Sequence, residues 1–293
     1  MSIEDYRRRL GSYGVWITPQ ALLATPVGVQ REQFARIEKL GYGSLWSGEP
    51  PAGAPPGREA FAQHGLMLAS TERIVVGTGI ANITSRVPVA MHTAAATLAE
   101  MHPGRFILGL GGAGPDRPLT RLAEYLDALD EVAETALPNV EYPRVLAALG
   151  PKANRLAAER AQGAHPFLQP VRHTEVARDL LGPEPLLIPQ QMVALETDPD
   201  KARDPLRRLM KGMPEGPYER NYRRLGFGDE DLGEARSDRI LDATLAWGDE
   251  AAVAERLRAH LDAGADHVLL TPRAPDLTSL VDRLERLAPL LTA

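Results

Sequence analysis

Short runs of β-branched and apolar residues alternate with helical periodicity along nearly the whole chain. Tyr13–Ile17, Ser44–Ser47 and Arg73–Ile83 read as strands, the last most clearly because of its valines and isoleucines. Arg105–Gly109, Arg144–Leu149, Gly163–Leu168, Gln190–Leu195 and His267–Thr271 continue the series. Between them the apolar positions recur at helical spacing, over Val27–Leu40, Arg58–Ser70, Leu119–Ala136, Asn154–Ala161 and His173–Leu181, and later over Val253–Ala263 and Leu277–Leu291. Pro88 sits where a first helical turn needs no N–H, and the helix it opens sets Met91, Ala95, Leu98 and Met101 on one stripe before Gly104 stops it. Asp198 caps a helix carrying Pro199 in its first turn, and Gly264 terminates the one before the last strand.

Strands that are apolar throughout and separated by helices belong to a parallel sheet covered on both faces. A (β/α)8 barrel and an open doubly wound sheet both satisfy that pattern. The barrel is preferred, because the alternation runs unbroken to the end and no change of composition marks a second domain. Residues 1–293 are therefore expected to form a single barrel domain. Met213–Asp238, polar and punctuated by Gly and Pro, is expected as an insertion between strands seven and eight, placed to act as a lid.

Composition narrows the possible partners. The chain is 44% hydrophobic and 25% charged, enough for a large core. A net charge of −6 with no basic cluster argues against nucleic acid and anionic membranes, and no apolar run is long enough to span a bilayer. The first residues lack the apolar stretch of a secretory signal, and there is no cysteine, which removes disulfides, thiol nucleophiles and thiolate metal sites. A cytoplasmic protein is the expectation.

In a barrel of this kind chemistry sits on the loops after the strands. Gly109–Gly114 matches a dinucleotide fingerprint letter for letter, but Pro115 and Pro118 stand where the required helix should continue. Its glycines, Gly111 and Gly112 among them, instead suit a loop that lets a flat ligand approach the backbone, or simply a flexible connection. Gly150, Pro151 and Lys152 open a helix whose N-terminal amides favour a phosphate; the alternative is a Pro-initiated turn with a solvated lysine. No triphosphate loop is present. Glu49 is a candidate general acid or base, or a solvated carboxylate. His165, before Pro166, is either a ligand contact or a packed histidine. Trp16, Thr18 and Trp46 are candidate substrate walls. No metal-ligand spacing and no serine-hydrolase elbow occurs.

Read in order, GVWITP (14–19), GYGSLWSGE (41–49), GTGIANITSR (77–86), GRFILGLG (104–111), AALGPK (147–152), GAHP (163–166), NYRRLGF (221–227), SDRILDATLAWG (237–248) and LDAGADHV (261–268) resemble the luciferase-like monooxygenase superfamily, in particular its coenzyme F420-dependent oxidoreductase branch. The resemblance runs over roughly residues 13–290. It implies a cis peptide at Gly79-Ile80 behind an isoalloxazine-like ring, with Ser47, Ala81, Asn82, Gly111 and Gly112 around it. It implies a cofactor phosphate on the amides near Leu149 and Gly150, and His165-Pro166 along the cofactor tail. Relatives usually carry an Asp-His pair after strand two; here Ser47-Gly48-Glu49 leaves only Glu49 for that role, and the strand-four loop lacks a polar group. The resemblance thus implies hydride transfer between F420 and a small organic substrate, by a chain that pairs as a homodimer. An FMN-dependent monooxygenase and a non-catalytic ligand-binding barrel stand as alternatives.

Overall fold

The computed structural model describes residues 1–50, 54–211 and 216–292. Its strands are β1 (Tyr13–Trp16), β2 (Ser44–Ser47), β3 (Val75–Thr78), β4 (Ala81–Asn82), β5 (Phe106–Gly111), β6 (Arg144–Leu146), β7 (Gly163–Ala164), β8 (Leu186–Leu187), β9 (Gln190–Leu195), β10 (Leu245–Gly248) and β11 (Val268–Pro272). All named pairings are parallel, in the order β10-β9-β11-β1-β2-β3-β5-β6-β7-β8, with β4 added beside β5. β8 and β9 follow one another on a single stretch of chain. The Ile188 amide donates to Ala164 (2.9 Å) while the Pro189 carbonyl accepts from Leu269 (2.9 Å). The β8–β9 stretch therefore links β7 to β11, so the sheet is curled on itself with β10 added beside β9 and helices outside.

The alternation of each strand sorts its side chains between two cores. Val15, Leu45, Val76, Phe106, Leu108, Val268 and Leu270 pack outward against the helices. Trp46, Val75, Ile107, Val145, Leu186, Ile188 and Leu269 fill the inside. Glycines make room for the largest of them. A Cβ on Gly77 would lie 2.6 Å from the Trp46 ring, and one on Gly14 would lie 2.0 Å from Ser44 Oγ. Below, a helix over Ile3–Leu10 inserts Tyr6 and Leu10 into this inner core. The sequence reading passed over that helix, although its Ser2/Asp5 capping box is a recognisable signal.

Several expectations need revision. Met101, assigned to a buried stripe, is 65% exposed, because the helix Pro88–Met101 ends on it and has already left the sheet. The strand expected over Arg144–Leu149 stops at Leu146, since Gly150 turns the chain into the helix Pro151–Arg160. β10 was missed: it follows the helix Asp238–Thr244 without an intervening turn. Of the expected lid, Met213, Pro214 and Glu215 lie outside the described residues. The rest forms the short helices Pro217–Arg224 and Asp229–Leu232, lying between β9 and β10. Tyr222, Leu225, Phe227 and Leu232 share a second core with Leu206, Met210, Ile240 and Leu241. No helix among the described residues is long and apolar enough to cross a membrane.

Replacing Gly77 by Ala forces a methyl group against a fully buried indole. The expected cost is about 1–3 kcal/mol, read as a lower urea midpoint with an unchanged denaturant slope.

Candidate active site

The carboxyl ends of β2 to β5 converge on one backbone junction. The Gly79-Ile80 peptide bond is cis, at the position the family resemblance singles out. The indole N–H of Trp16 donates to the Gly79 carbonyl (2.8 Å), the Gly79 amide donates to Ser47 (2.8 Å), and the Ile80 carbonyl accepts from the Glu49 amide (2.9 Å). Side chains are excluded on both sides of this junction. A Cβ on Gly48 would lie 2.3 Å from the Gly79 oxygen, and one on Gly79 would stand 2.7 Å from Trp16 Nε1 and 2.9 Å from His165 Nε2.

Glu49 lies at the junction with both carboxylate oxygens engaged. Oε2 accepts from the Asn82 amide (2.6 Å) and Oε1 from the Arg86 guanidinium (2.5 Å). The ion pair is mostly buried, with side-chain exposures of 11% for Glu49 and 16% for Arg86, so solvent screens it weakly. Arg86 also binds Glu59 and lies 5.0 Å over the Phe61 ring. Asn82 returns its side-chain amide to the Pro50 carbonyl at 3.2 Å. The carboxylate expected to move a proton is thus a tie between the loop after β2 and the end of β4. Arg86, which the sequence reading did not single out, is its principal partner.

Other expected contacts are redistributed by burial. Trp46 is fully buried and cannot form a substrate wall: its ring lies inside the sheet over Gly77, and its N–H donates to Ser44 Oγ at 2.9 Å. Thr18 spends its hydroxyl as the cap of the helix Pro19–Ala24, accepting from Ala21. Ala81 is fully buried, and Ser47 and Asn82 nearly so. The glycine run after β5 packs closely against Ile80 and Asn82, while Gly112 stays exposed. A Cβ on Gly111 would meet Ile80 Cδ1 at 2.5 Å, and one on Gly112, which has φ +69°, would meet Asn82 Oδ1 at 2.0 Å.

His165 does not line a tail at the rim. It is buried below the junction, 5.3 Å from the Trp46 ring, with Pro166 also buried. Its Nδ1 lies 2.7 Å from the Ile188 carbonyl, which can only accept, so Nδ1 carries the proton and Nε2 is a lone pair with no partner. Burial pushes the His165 pKa down to about 4, against a smaller opposing effect of the bond to Ile188. The ring is neutral in the folded protein.

The loop after β6 presents backbone donors. The amides of Leu149 and Gly150 have no acceptor among the described residues, and Gly150 is the N-cap of the helix Pro151–Arg160. The Leu149 carbonyl is turned inward to accept from His173 Nε2 (2.8 Å), while Asn154 donates to the Gly150 carbonyl (3.1 Å). Arg224 stands over this turn, its Nη1 3.1 Å from where a Cβ on Gly150 would be. Lys152 is exposed beside it. Sequence reasoning found the amides but not Arg224, because seventy-odd residues of chain separate them.

Comparisons with known proteins agree with this architecture. The luciferase-like monooxygenase family model matches residues 13–267, and the chain belongs to that family of enzymes. It is 28% identical over 162 residues to a Mycobacterium tuberculosis protein named "Putative coenzyme F420-dependent oxidoreductase"; the match covers 51% of this chain and 43% of that one, so the chain spans less than half of its curated relative. The fold is similar to an F420-dependent secondary alcohol dehydrogenase solved with an F420-acetone adduct (TM-score 0.71, 17% identity, covering 97% of this chain and 99% of that one). It is also similar to the coenzyme F420 dependent tetrahydromethanopterin reductase of Methanopyrus kandleri (0.69, 18%, covering 96% and 99%). A Pseudomonas putida type II Baeyer-Villiger monooxygenase in complex with FMN shares it as well (0.68, 15%, covering 96% and 98%).

Two outcomes follow from these contacts. Arg86→Met leaves the Glu49 carboxylate without its cation and is expected to cost about 1–3 kcal/mol in urea unfolding, with Glu49→Gln costing less. Burial also lowers His267 to about 4 and His260 to about 3. An unfolded histidine takes its proton near pH 6.5, whereas the folded ones refuse it, so their stabilising effect is complete above pH 6.5 and is lost as pH falls toward 4. Each adds a slope approaching about 1.4 kcal/mol per pH unit in that window. His165→Gln should remove one such share and make the slope shallower in unfolding measurements between pH 7 and pH 4.5.

Proposed function

We propose that this chain is an oxidoreductase that transfers a hydride between the deazaflavin coenzyme F420 and a small organic molecule. The observation that carries the reading is the pair of unused amides at Leu149 and Gly150 with the Arg224 guanidinium set against them, two strands round the sheet from the Gly79-Ile80 junction. A helix N-terminus joined by a guanidinium suits a phosphate, through directed N–H donors, the dipole and a planar cation. The residues present therefore fit a flat heterocycle with a phosphate-bearing tail. The family membership and the F420-dependent relatives support the same cofactor class.

Bound deazaflavin supplies a ring carbon that gives or accepts a hydride. This chain's residues do the rest. Ile80, half-buried at the rim, and the backbone around it back the ring; Leu149, Gly150 and Arg224 hold the tail, with Pro151 starting the helix and Lys152 alongside. Trp16 fixes the Gly79 carbonyl. Glu49 acts as a positioning residue: it accepts from Asn82 and Arg86, holding the β2 and β4 ends in one arrangement, and solvent takes the proton role. The helices Pro217–Arg224 and Asp229–Leu232 carry Arg224 to the rim, and the described part of the insertion, residues 216–238, serves as the cover on the tail side of the mouth. A barrel acting as a single domain, working in the cytoplasm as a homodimer on a small molecule, completes the proposal.

FMN is the second reading, favoured by the FMN complex among the structural relatives and by the same phosphate chemistry. Binding titrations with F420 and with FMN separate the two. Micromolar affinity for F420 is expected; micromolar FMN with no F420 binding overturns the deazaflavin reading, and binding of neither leaves a non-catalytic barrel. Arg224→Ala should weaken the phosphate-bearing cofactor about tenfold and leave a ring fragment without phosphate unchanged.

A further inference from the structure

A half-buried cation stands at the mouth on the far side from Gly150, next to the last strand of the sheet. Arg273 follows β11 directly. Its amide donates to the Val193 carbonyl (3.0 Å), which extends the pairing with β9 one residue past the strand. The strand's alternation therefore holds through this position. Leu269 lies in the inner core, and Thr271 accepts on its hydroxyl from Gln190 inside the sheet (2.6 Å), so Arg273 continues the inward-facing series 269, 271, 273. The opposing residues on β9, Met192 and Ala194, are nearly buried.

The guanidinium of Arg273 has no hydrogen-bond acceptor and no carboxylate partner among the described residues, and neither do those of Arg208 and Arg283. Arginines on the same helix as Arg208 behave differently. Arg203 holds Asp242 and Asp238, and Arg207 holds Asp204 and Asp238. Burial depresses the pKa of Arg273 first, and the charges acting on it are those of Arg208 and Arg283, both of its own sign. Arg283 is likewise depressed by burial and by Arg286, with Asp276 opposing. Asp276 itself is committed to capping the helix Leu277–Leu291 through Ser279. A partly desolvated cation flanked by like charges is costly to keep unless something completes it. In a chain whose net charge is −6, Arg273 with Arg208 and Arg283 close enough to act on it is a local concentration of positive charge with no carboxylate partner among the described residues.

We infer that Arg273, backed by Arg208 and Arg283, recognises an oxyanion, a carboxylate or phosphate, on the molecule that enters the mouth opposite Gly150. The inference rests on the mouth being the ligand site, as proposed above, and it sets a specificity: the ligand carries an anionic group at that end, which the planar guanidinium can grip with two N–H donors.

The test needs no turnover. Purified protein is titrated with inorganic phosphate and with succinate at low ionic strength, with calorimetry and the thermal midpoint as readouts. Wild type is expected to bind both and to gain thermal stability. Arg273→Met should weaken succinate at least tenfold, and phosphate likewise when the Gly150 site is disabled by Arg224→Ala, while keeping an equal or higher midpoint without anions, and Arg273→Lys should fall between. Unchanged succinate affinity in Arg273→Met, or no binding of succinate by wild type, overturns the inference. F420 titration of Arg273→Met identifies the carrier: unchanged affinity places the anion on the substrate, and an equal loss places it on the cofactor. Should wild type bind the anions at Arg273 but not F420, the deazaflavin reading fails alone and this site stands.

Discussion

Close backbone approach at the ends of β2, β3 and β5 is the constraint on which the rest of this molecule depends. Gly48, Gly77, Gly79 and Gly109 each sit where a Cβ would strike a neighbour at 2.7 Å or less, at the Gly79 oxygen, the Trp46 ring, Trp16 Nε1 and the Thr78 oxygen respectively. Removing four side chains at one end of a parallel sheet lets two indoles and an imidazole occupy its inside. It also lets the chain turn sharply enough to bring Glu49, Ile80 and Asn82 together. Packing density then transmits the arrangement, since interiors of this kind have few voids to absorb a shift. Gly111 and Gly112 extend the same principle outward, admitting Ile80 and Asn82 from β4 and its approach.

The consequence for chemistry is a division of labour by depth. The lowest layer, Ser44, Trp46 and His267, is a closed hydrogen-bonded set, with His267 Nε2 2.6 Å from Ser44 Oγ. Above it, Trp16 and His165 flank Gly79. At the rim are the groups left with bonding capacity: the amides at Leu149 and Gly150, Arg224 on one side and Arg273 on the other. Most polar groups inside are satisfied in pairs, as burial demands, with His165 Nε2 an exception, and the open groups at the rim are the ones a ligand could reach.

Most of the architecture was legible because strands covered on both faces are written as uninterrupted apolar runs, and helices between them keep a period of their own. What was missed was short or local. The helix Ile3–Leu10 is mostly charged and buries only Tyr6 and Leu10, so its apolar signal is faint beside its capping box. β10 is four residues long and abuts a helix. At the site, the pattern located the loops correctly but could not say which side of each strand faces inward. Trp46 and His165 looked like ligand contacts because aromatic and imidazole groups often are. One-residue alternation instead turned them into the core, and Thr18 was claimed by a helix cap. Partners distant in sequence were invisible for a different reason: Arg86 reaches Glu49, and Arg224 reaches Gly150, only after the sheet has curled.

The plug formed by Tyr6 and Leu10 has its own implication. With the inside of the sheet filled by side chains down to that floor, nothing passes through it, so whatever occupies the open end must back out the way it came before its successor can take its place.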